Sequence, residues 1–188
     1  MYEVENDAVY CYAGTAILKN KLDIKDAVEL AKFEAEISSQ RAQEPIPDGN
    51  LDYAHYRALH KHLFQDVYDW AGEPRNIRIG KGGNWFCFPE NIDAEMTKLF
   101  SSFAEQSNFS GLSRIEFAKR SAHFLAELNA IHAFREGNGR TQLSFIGIVA
   151  EQADHPLDFE KLESDKILAA IIESFAGDEE HSGESLPI

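Results

Sequence analysis

The sequence predicts a mainly α-helical protein that carries one short β-hairpin. Apolar residues recur every three or four positions along most of the chain, as on one face of a helix, and polar–apolar alternation is confined to a glycine-rich stretch between residues 76 and 88. The 188 residues, 44% of them hydrophobic, are sufficient for one buried core. We therefore expect a single domain over residues 1–176 and an acidic, flexible tail over residues 177–188.

The N-terminal part, residues 1–50, reads as a lead-in followed by one helix. Residues 1–20 carry scattered aromatic residues and are expected to be extended. Asp23 or Asp26 is expected to cap the helix, because a carboxylate at that position accepts hydrogen bonds from unpaired amides of the first turn. The turn residues Glu44–Gly49 end it.

A second helix is predicted to begin after Asp52 and to continue to Gly72. Its apolar residues follow helical spacing. They are Tyr56, Leu59, Leu63, Val67 and Trp70.

The hairpin is predicted within residues 75–92. Asn76–Ile79 alternates polar and apolar residues, Gly80–Asn84 supplies turn chemistry, and Trp85–Phe88 forms the second strand. Because two strands alone are barely stable in water, we expect this hairpin to lie against helices.

Residues 113–152 are predicted to form a buried helix–loop–helix. Ser113 caps the first helix, with Glu116 placed as in a capping box, and the second helix, Thr141–Gln152, is apolar nearly all round. Two further helices are expected, over Asn91–Gln106 and Asp158–Phe175.

Charge and cysteine content limit the classes of partner. The net charge of −14 makes direct binding of nucleic acid or of an anionic membrane unfavourable. Two cysteines, Cys11 and Cys87, form no framework, which indicates a reducing compartment. With an acidic start unlike a secretory signal, the expected location is cytoplasmic; delivery to a host cell is the alternative.

A polar, glycine-rich loop joins the two most apolar helices. It reads His132-Ala133-Phe134-Arg135-Glu136-Gly137-Asn138-Gly139-Arg140. The segment Gly137–Gly139 allows successive amides to face one concavity at a helix N-terminus, which suits a di- or triphosphate. Arg140 can add a charge-assisted contact, Glu136 can hold Mg²⁺ beside the phosphates, and His132 remains as a general base. Phe134 is expected to anchor the loop in the core.

Each of these features alone is also common in structural turns and solvated surfaces. Their combination within one loop favours a nucleotide site. Other enzyme classes fit less well, because the chain has no HExxH and no GxxxxGK[ST], and His60 and His62 do not share a helix face as a metal pair would.

Residues 132–140 resemble the signature of the Fic family, H-x-F-x-(D/E)-G-N-G-R-x-x-R. The resemblance extends to Leu51–Gly72, to the hairpin and to the helix that ends at His132, so that it covers nearly the whole chain. The chain is identified on these residues as a member of that family, of the bacterial single-domain type. The fold implied is a helical bundle in which the hairpin forms a flap beside the active-site loop.

The resemblance implies a protein adenylyltransferase, which transfers AMP from ATP to a Ser, Thr or Tyr hydroxyl of a target protein and releases pyrophosphate. His132 would be the catalytic base and Glu136 the Mg²⁺ ligand. The nucleotide would contact Phe134, Gly137, Asn138, Gly139 and Arg140. The flap would align the target through Ile79, Lys81, Gly82, Gly83, Trp85 and Phe86.

Two positions depart from the family pattern. Leu143 replaces a second arginine, which in relatives helps to hold the γ-phosphate and pairs with a regulatory glutamate, and Ala133 replaces a common proline. The loss of one charged contact implies weaker activity or another donor pose. Ser101–Gln106 is the nearest match to the family's inhibitory helix and lacks its last residue, so that a separate small antitoxin is the regulator expected.

Two alternatives stay open at this point. One is a related nucleotidyl or phosphoryl transferase that uses the same loop. The other is a degenerate or regulatory domain that binds nucleotide or protein without efficient transfer, as the leucine at position 143 would permit.

Overall fold

The computed structural model describes residues 3–4 and 7–157, and within them the fold is mainly α-helical, as predicted. The α-helices are α1 (Ala27–Arg41), α2 (Tyr53–Phe64), α3 (Ile92–Glu105), α4 (Arg114–Ile131) and α5 (Asn138–Gln152). The strands are β1 (Glu3–Val4), β2 (Ile79–Lys81) and β3 (Asn84–Trp85). The predicted helix Asp158–Phe175 and the tail lie outside the described residues, and the single domain over 1–176 stays a prediction.

Three of the helices begin at the capping residues that the sequence indicated. Asp26, rather than Asp23, caps α1, and its Oδ1 accepts from the amides of Val28 and Glu29, both at 2.9 Å. Asp52 caps α2 and Ser113 caps α4. These starts were predictable because a cap acts within three residues of chain.

Two predicted helix limits were wrong. α2 ends at Phe64, and Val67 lies in the turns beyond it, because the chain folds back so that the amide of Gly72 donates to Nδ1 of His60. α5 begins at Asn138 rather than at Thr141, because Gly137 takes a left-handed conformation (φ 81°) that turns the chain directly into the helix.

The hairpin is confirmed, with shorter strands than predicted. Lys81 pairs with Asn84, so the turn consists of Gly82 and Gly83 alone, at φ 61° and 82°. Two positive φ angles are what a two-residue type I′ turn requires. The lead-in adds β1 to the other edge of β2, which gives a three-stranded antiparallel sheet in the order β1-β2-β3.

Buried side chains form two clusters that meet around α2. The larger one joins α2, α3, α4 and α5 through rings such as Tyr56, Phe100 and Phe145. The smaller one packs the lead-in and α1 against the end of α2. One face of α5, with half-buried Leu143 and Ile148, instead lines a groove of about 730 Å³ beside α1. Among the described residues no helix is long and apolar enough to cross a membrane.

Candidate active site

His132 ends α4 and begins the predicted loop. Its backbone is left-handed (φ 51°, ψ 61°), which is unusual for a residue other than glycine, and its amide still donates to the carbonyl of Leu128. Nδ1 lies 3.3 Å from the carbonyl oxygen of Asn129, which can only accept, so Nδ1 carries the proton. The lone pair of the neutral ring is therefore on Nε2, where a general base needs it.

The imidazole of His132 is covered by the flap. The ring of Phe86 stacks on it at 3.9 Å between centroids, and the whole residue is 6% exposed. Burial, and then the positive charge of Arg75, lower the pKa of His132 to about 3. The ring is thus neutral at pH 7, which is the protonation state that a base requires.

Phe134 anchors the loop, as predicted. Its side chain is fully buried and stacks on His60 at 3.8 Å between ring centroids. The amide group of Asn138 closes the loop around it: Oδ1 accepts from the backbone amide of Phe134 at 2.9 Å, and Nδ2 donates to the carbonyl of Phe134 at 2.8 Å. The side chain of Asn138 therefore serves the loop itself and leaves only the backbone of this residue to a nucleotide.

The N-terminus of α5 faces the same loop. Asn138, Gly139 and Arg140 form its first turn, where backbone amides have no acceptor within the helix. Together with the helix dipole, such amides attract an anion. Gly137 is required here for a second reason, since a Cβ would lie 2.4 Å from two ring atoms of Phe64.

Glu136 lies between this helix end and α1. Its Oε1 accepts from the amide of Gly137 at 2.9 Å and lies 3.9 Å from Nη2 of Arg140. Burial, and then the nearby charge of Glu34, raise the pKa of Glu136. No cluster of three acidic, histidine or cysteine side chains that could hold a metal occurs within the described residues. A lone carboxylate still fits Mg²⁺, because that ion usually takes one or two carboxylates and completes its shell with substrate phosphates and water.

Arg140 is engaged by α1, which sequence reasoning missed. Nη1 donates to Oγ of Ser38 at 2.8 Å, Nη2 donates to Glu34, and the guanidinium carbon lies 4.6 Å from the ring centroid of Phe64. The hydroxyl of Tyr68 also donates to Glu34. The sequence signal for this contact was the i, i+4 spacing of Glu34 and Ser38, which places two polar side chains on an otherwise apolar face of α1.

Other supports of the loop also escaped prediction. Nδ1 of His60 accepts a hydrogen bond from the backbone amide of Gly72, so the proton of the ring is on Nε2. Nε2 donates to the carbonyl of Glu136 at 2.9 Å. Burial lowers the pKa of His60 to about 3. Arg135 donates from Nε to Asp7, whose side chain is 11% exposed, at 2.8 Å, and this contact ties the lead-in to the loop. Neither contact leaves a local pattern in the sequence.

The predicted flap residues separate into two groups. Phe86 stacks on His132, and the side chain of Ile79 is fully buried, so only the backbone of Ile79 is available to a target. Lys81, Gly82 and Gly83 are exposed at the tip, and Trp85 is 38% exposed, with the guanidinium of Arg78 at 4.8 Å from its ring centroid.

A helical fold whose two central helices are joined by this loop, with a hairpin over the histidine, defines a Fic-type domain. The Fic/DOC family model matches residues 50–150, and the chain belongs to that family. The probable protein adenylyltransferase y4lH of Sinorhizobium fredii is 53% identical over 169 residues, which cover 89% of this chain and 88% of that protein.

Two solved structures share the fold along most of their length. The N-terminal Fic domain of a putative cell filamentation protein from Bartonella quintana, with bound ADP, superimposes with a TM-score of 0.85 at 30% identity, over 94% of this chain and 92% of that one. BepC of Bartonella tribocorum, with bound AMPPNP, superimposes with a TM-score of 0.83 at 29% identity, over 93% of this chain and 92% of that one.

Proposed function

We propose that this protein transfers AMP from ATP to a hydroxyl side chain of a target protein. The observation that carries the proposal is the placement of a neutral imidazole, His132, at one end of a loop whose other end presents the first-turn amides of α5. The proposed base and the proposed anion site thus lie at the two ends of the loop over residues 132–140. The relative from Sinorhizobium fredii is named a probable protein adenylyltransferase, and two similar Fic structures hold ADP and AMPPNP.

The chemical step uses His132 as the base. Nε2 accepts the proton of the target hydroxyl, the hydroxyl oxygen forms a bond to the α-phosphorus of ATP, and the bond from that phosphorus to the α,β-bridging oxygen breaks, so that pyrophosphate leaves. The ring is neutral before this step, and an anionic nucleotide beside it raises its pKa and so strengthens it as a base.

The α5 end holds the phosphates. Backbone amides of Asn138, Gly139 and Arg140 stabilise the charge that develops on the transferring and leaving groups, without reorganising, because Asn138 and Phe134 already fix the loop. Glu136 is the residue that would hold Mg²⁺, which when bound supplies neutralising charge to the phosphates. Arg140 supplies a further cation once a phosphate competes with Glu34.

Labelled ATP tests the proposal. The protein is incubated with Mg²⁺, a bacterial lysate and ATP labelled at either the α- or the γ-phosphate, beside His132→Ala and the matched control His62→Ala, whose ring contacts the carbonyl of Arg41 outside the site. We expect transfer of the α-label alone, lost in His132→Ala and kept in His62→Ala. Transfer of the γ-label identifies a kinase instead.

A binding module without transfer is the second candidate, favoured by one observation. Leu143 lines the groove beside Arg140 and presents no charge where the family pattern has its second arginine. Nucleotide binding without transfer of either label from any nucleotide supports this candidate.

Regulation and location are further parts of the proposal. The groove between α1 and α5 is mostly apolar with Glu34 and Arg140 at one side, which suits an amphipathic inhibitory helix of a small antitoxin. The free thiols of Cys11 and Cys87 are consistent with a cytoplasmic protein. We expect overproduction in a bacterium to arrest growth with the wild-type chain and not with His132→Ala.

A further inference from the structure

Arg75 is the largest fully buried side chain among residues 7–157, with 1% of its surface exposed. Its guanidinium donates to four backbone carbonyl oxygens. Nε donates to His132 at 2.8 Å, Nη1 to Ile77 at 2.7 Å, and Nη2 to Cys87 at 2.6 Å and to Ile131 at 3.2 Å.

These carbonyls belong to the two parts of the site that must act together. Ile131 and His132 form the end of α4, where carbonyls lack partners within the helix and carry the negative end of its dipole. Ile77 precedes β2 and Cys87 follows β3, so they are the two ends of the flap. One planar cation therefore joins both ends of the flap to the backbone of the catalytic histidine.

The flap has other attachments as well, since β1 pairs with β2 and the side chain of Ile79 is fully buried. Further contacts lie close to the histidine. The amide of Cys87 donates to the carbonyl of Ala130 at 3.2 Å, and Phe86 stacks on His132. Among these contacts, the guanidinium of Arg75 is the one that joins both ends of the flap to the end of α4, and it thereby fixes the flap over the imidazole.

We propose that Arg75 is a positioning residue for the transfer reaction, whose guanidinium fixes the flap against the catalytic loop and so sets how a target strand on the flap meets His132. The inference rests on the proposed function and adds a residue outside the signature to it. Arginine is needed because its planar fork offers five donors at fixed angles, which can reach all four of these carbonyls; lysine has the charge without the fork.

Amide hydrogen exchange tests the structural part without any assay of activity. In Arg75→Lys and Arg75→Met we expect the amides of Phe86 and Cys87 to exchange at least about tenfold faster than in the wild type, while amides in the middle of α3 stay within about twofold. The control is Arg120→Met, which removes contacts to Glu116 and Gln106 away from the flap and leaves flap exchange unchanged.

Kinetics test the functional part. We expect both Arg75 variants to keep the affinity of the wild type for a non-hydrolysable ATP analogue and to transfer AMP about a hundredfold more slowly in a single turnover, because small misplacements of a base cost that much. If Arg75→Met does not fold, Arg75→Lys carries the same comparison.

Three results overturn the proposal: native flap exchange in folded Arg75→Lys, equal acceleration in the flap and in α3, or native transfer in both variants. If the wild type itself transfers no AMP, the proposed function fails, and the exchange of Phe86 and Cys87 still decides whether Arg75 holds the flap.

Discussion

The ring of Phe86 lies parallel to the imidazole of His132, with 3.9 Å between centroids and 13° between planes. A residue of the flap therefore covers the imidazole, although one side chain follows β3 and the other follows α4. In this arrangement the covering ring excludes water from the imidazole, and burial is the first cause of its low pKa.

Truncating the side chain of Phe86 should change the pKa of His132. We expect Phe86→Ala to raise the pKa of His132 from about 3 towards its usual 6.5, because water then reaches the ring. The pKa is measured from the imidazole C–H signals by NMR. Phe88→Ala, also on the flap but 45% exposed, is the control and should leave it unchanged; an equal shift in both variants contradicts a specific cover.

Acid should destabilise the fold through two buried histidines. His60 and His132 have folded pKa values of about 3 against about 6.5 when exposed, so between these values the unfolded chain binds more protons. As the pH falls below 6.5, each histidine therefore lowers the free energy of unfolding by about 1.4 kcal/mol per pH unit. The stability that each neutral, buried histidine contributes is fully present only above pH 6.5. Urea unfolding between pH 4.5 and 7 measures the slope.

His60→Asn isolates one of these contributions. In this variant the free energy of unfolding should change less steeply with pH than in the wild type. The difference corresponds to one proton, or about 1.4 kcal/mol per pH unit. The raised pKa of Glu136 acts in the opposite sense and is common to both proteins, so it cancels in the difference. Identical slopes would show that His60 is protonated in the folded state.

The loop glycine should not tolerate a side chain. Gly137→Ala places a Cβ at a positive φ and 2.4 Å from the ring of Phe64, and we expect it to cost more than about 2 kcal/mol of stability and to abolish nucleotide binding. Gly82→Ala is the matched control, because its φ is also positive but no atom lies within 4 Å of the added Cβ. Calorimetric melting compares the stabilities of the two variants. A similar loss of stability in both would contradict the clash with Phe64.

Glu34 should limit the affinity for nucleotide. It holds Arg140 and places a negative charge beside the proposed phosphate site, so Glu34→Gln is expected to bind ATP about tenfold more tightly. Calorimetric titration measures the affinity, and exposed Glu36→Gln on the same helix should bind as the wild type does. Weaker binding in Glu34→Gln would mean that Glu34 orients Arg140 instead of competing for it.

An arginine at position 143 should supply the γ-phosphate contact that the family pattern implies. Leu143→Arg is expected to bind ATP about tenfold more tightly and ADP with unchanged affinity, since only ATP carries the γ-phosphate. Ile148→Arg, which lines the same groove, is the control. An equal gain for ADP and ATP would contradict an assignment to the γ-phosphate.

The sequence alone located the starts of three helices and the hairpin. Asp26, Asp52 and Ser113 cap helices through contacts within three residues, and a turn of two glycines works in the same short range. It misjudged the end of α2, because a contact from Gly72 to His60 overrode an apolar pattern that continued past Phe64.

What the sequence determined was therefore the local chemistry: an imidazole, a carboxylate, an arginine and a helix N-terminus on one loop. Only the tertiary structure decided what holds them, namely Arg75 beneath His132, Glu34 on Arg140 and Asp7 on Arg135. The physical reason is distance along the chain. Such contacts join residues that become neighbours only when the core assembles, and no periodicity or spacing in the sequence predicts them.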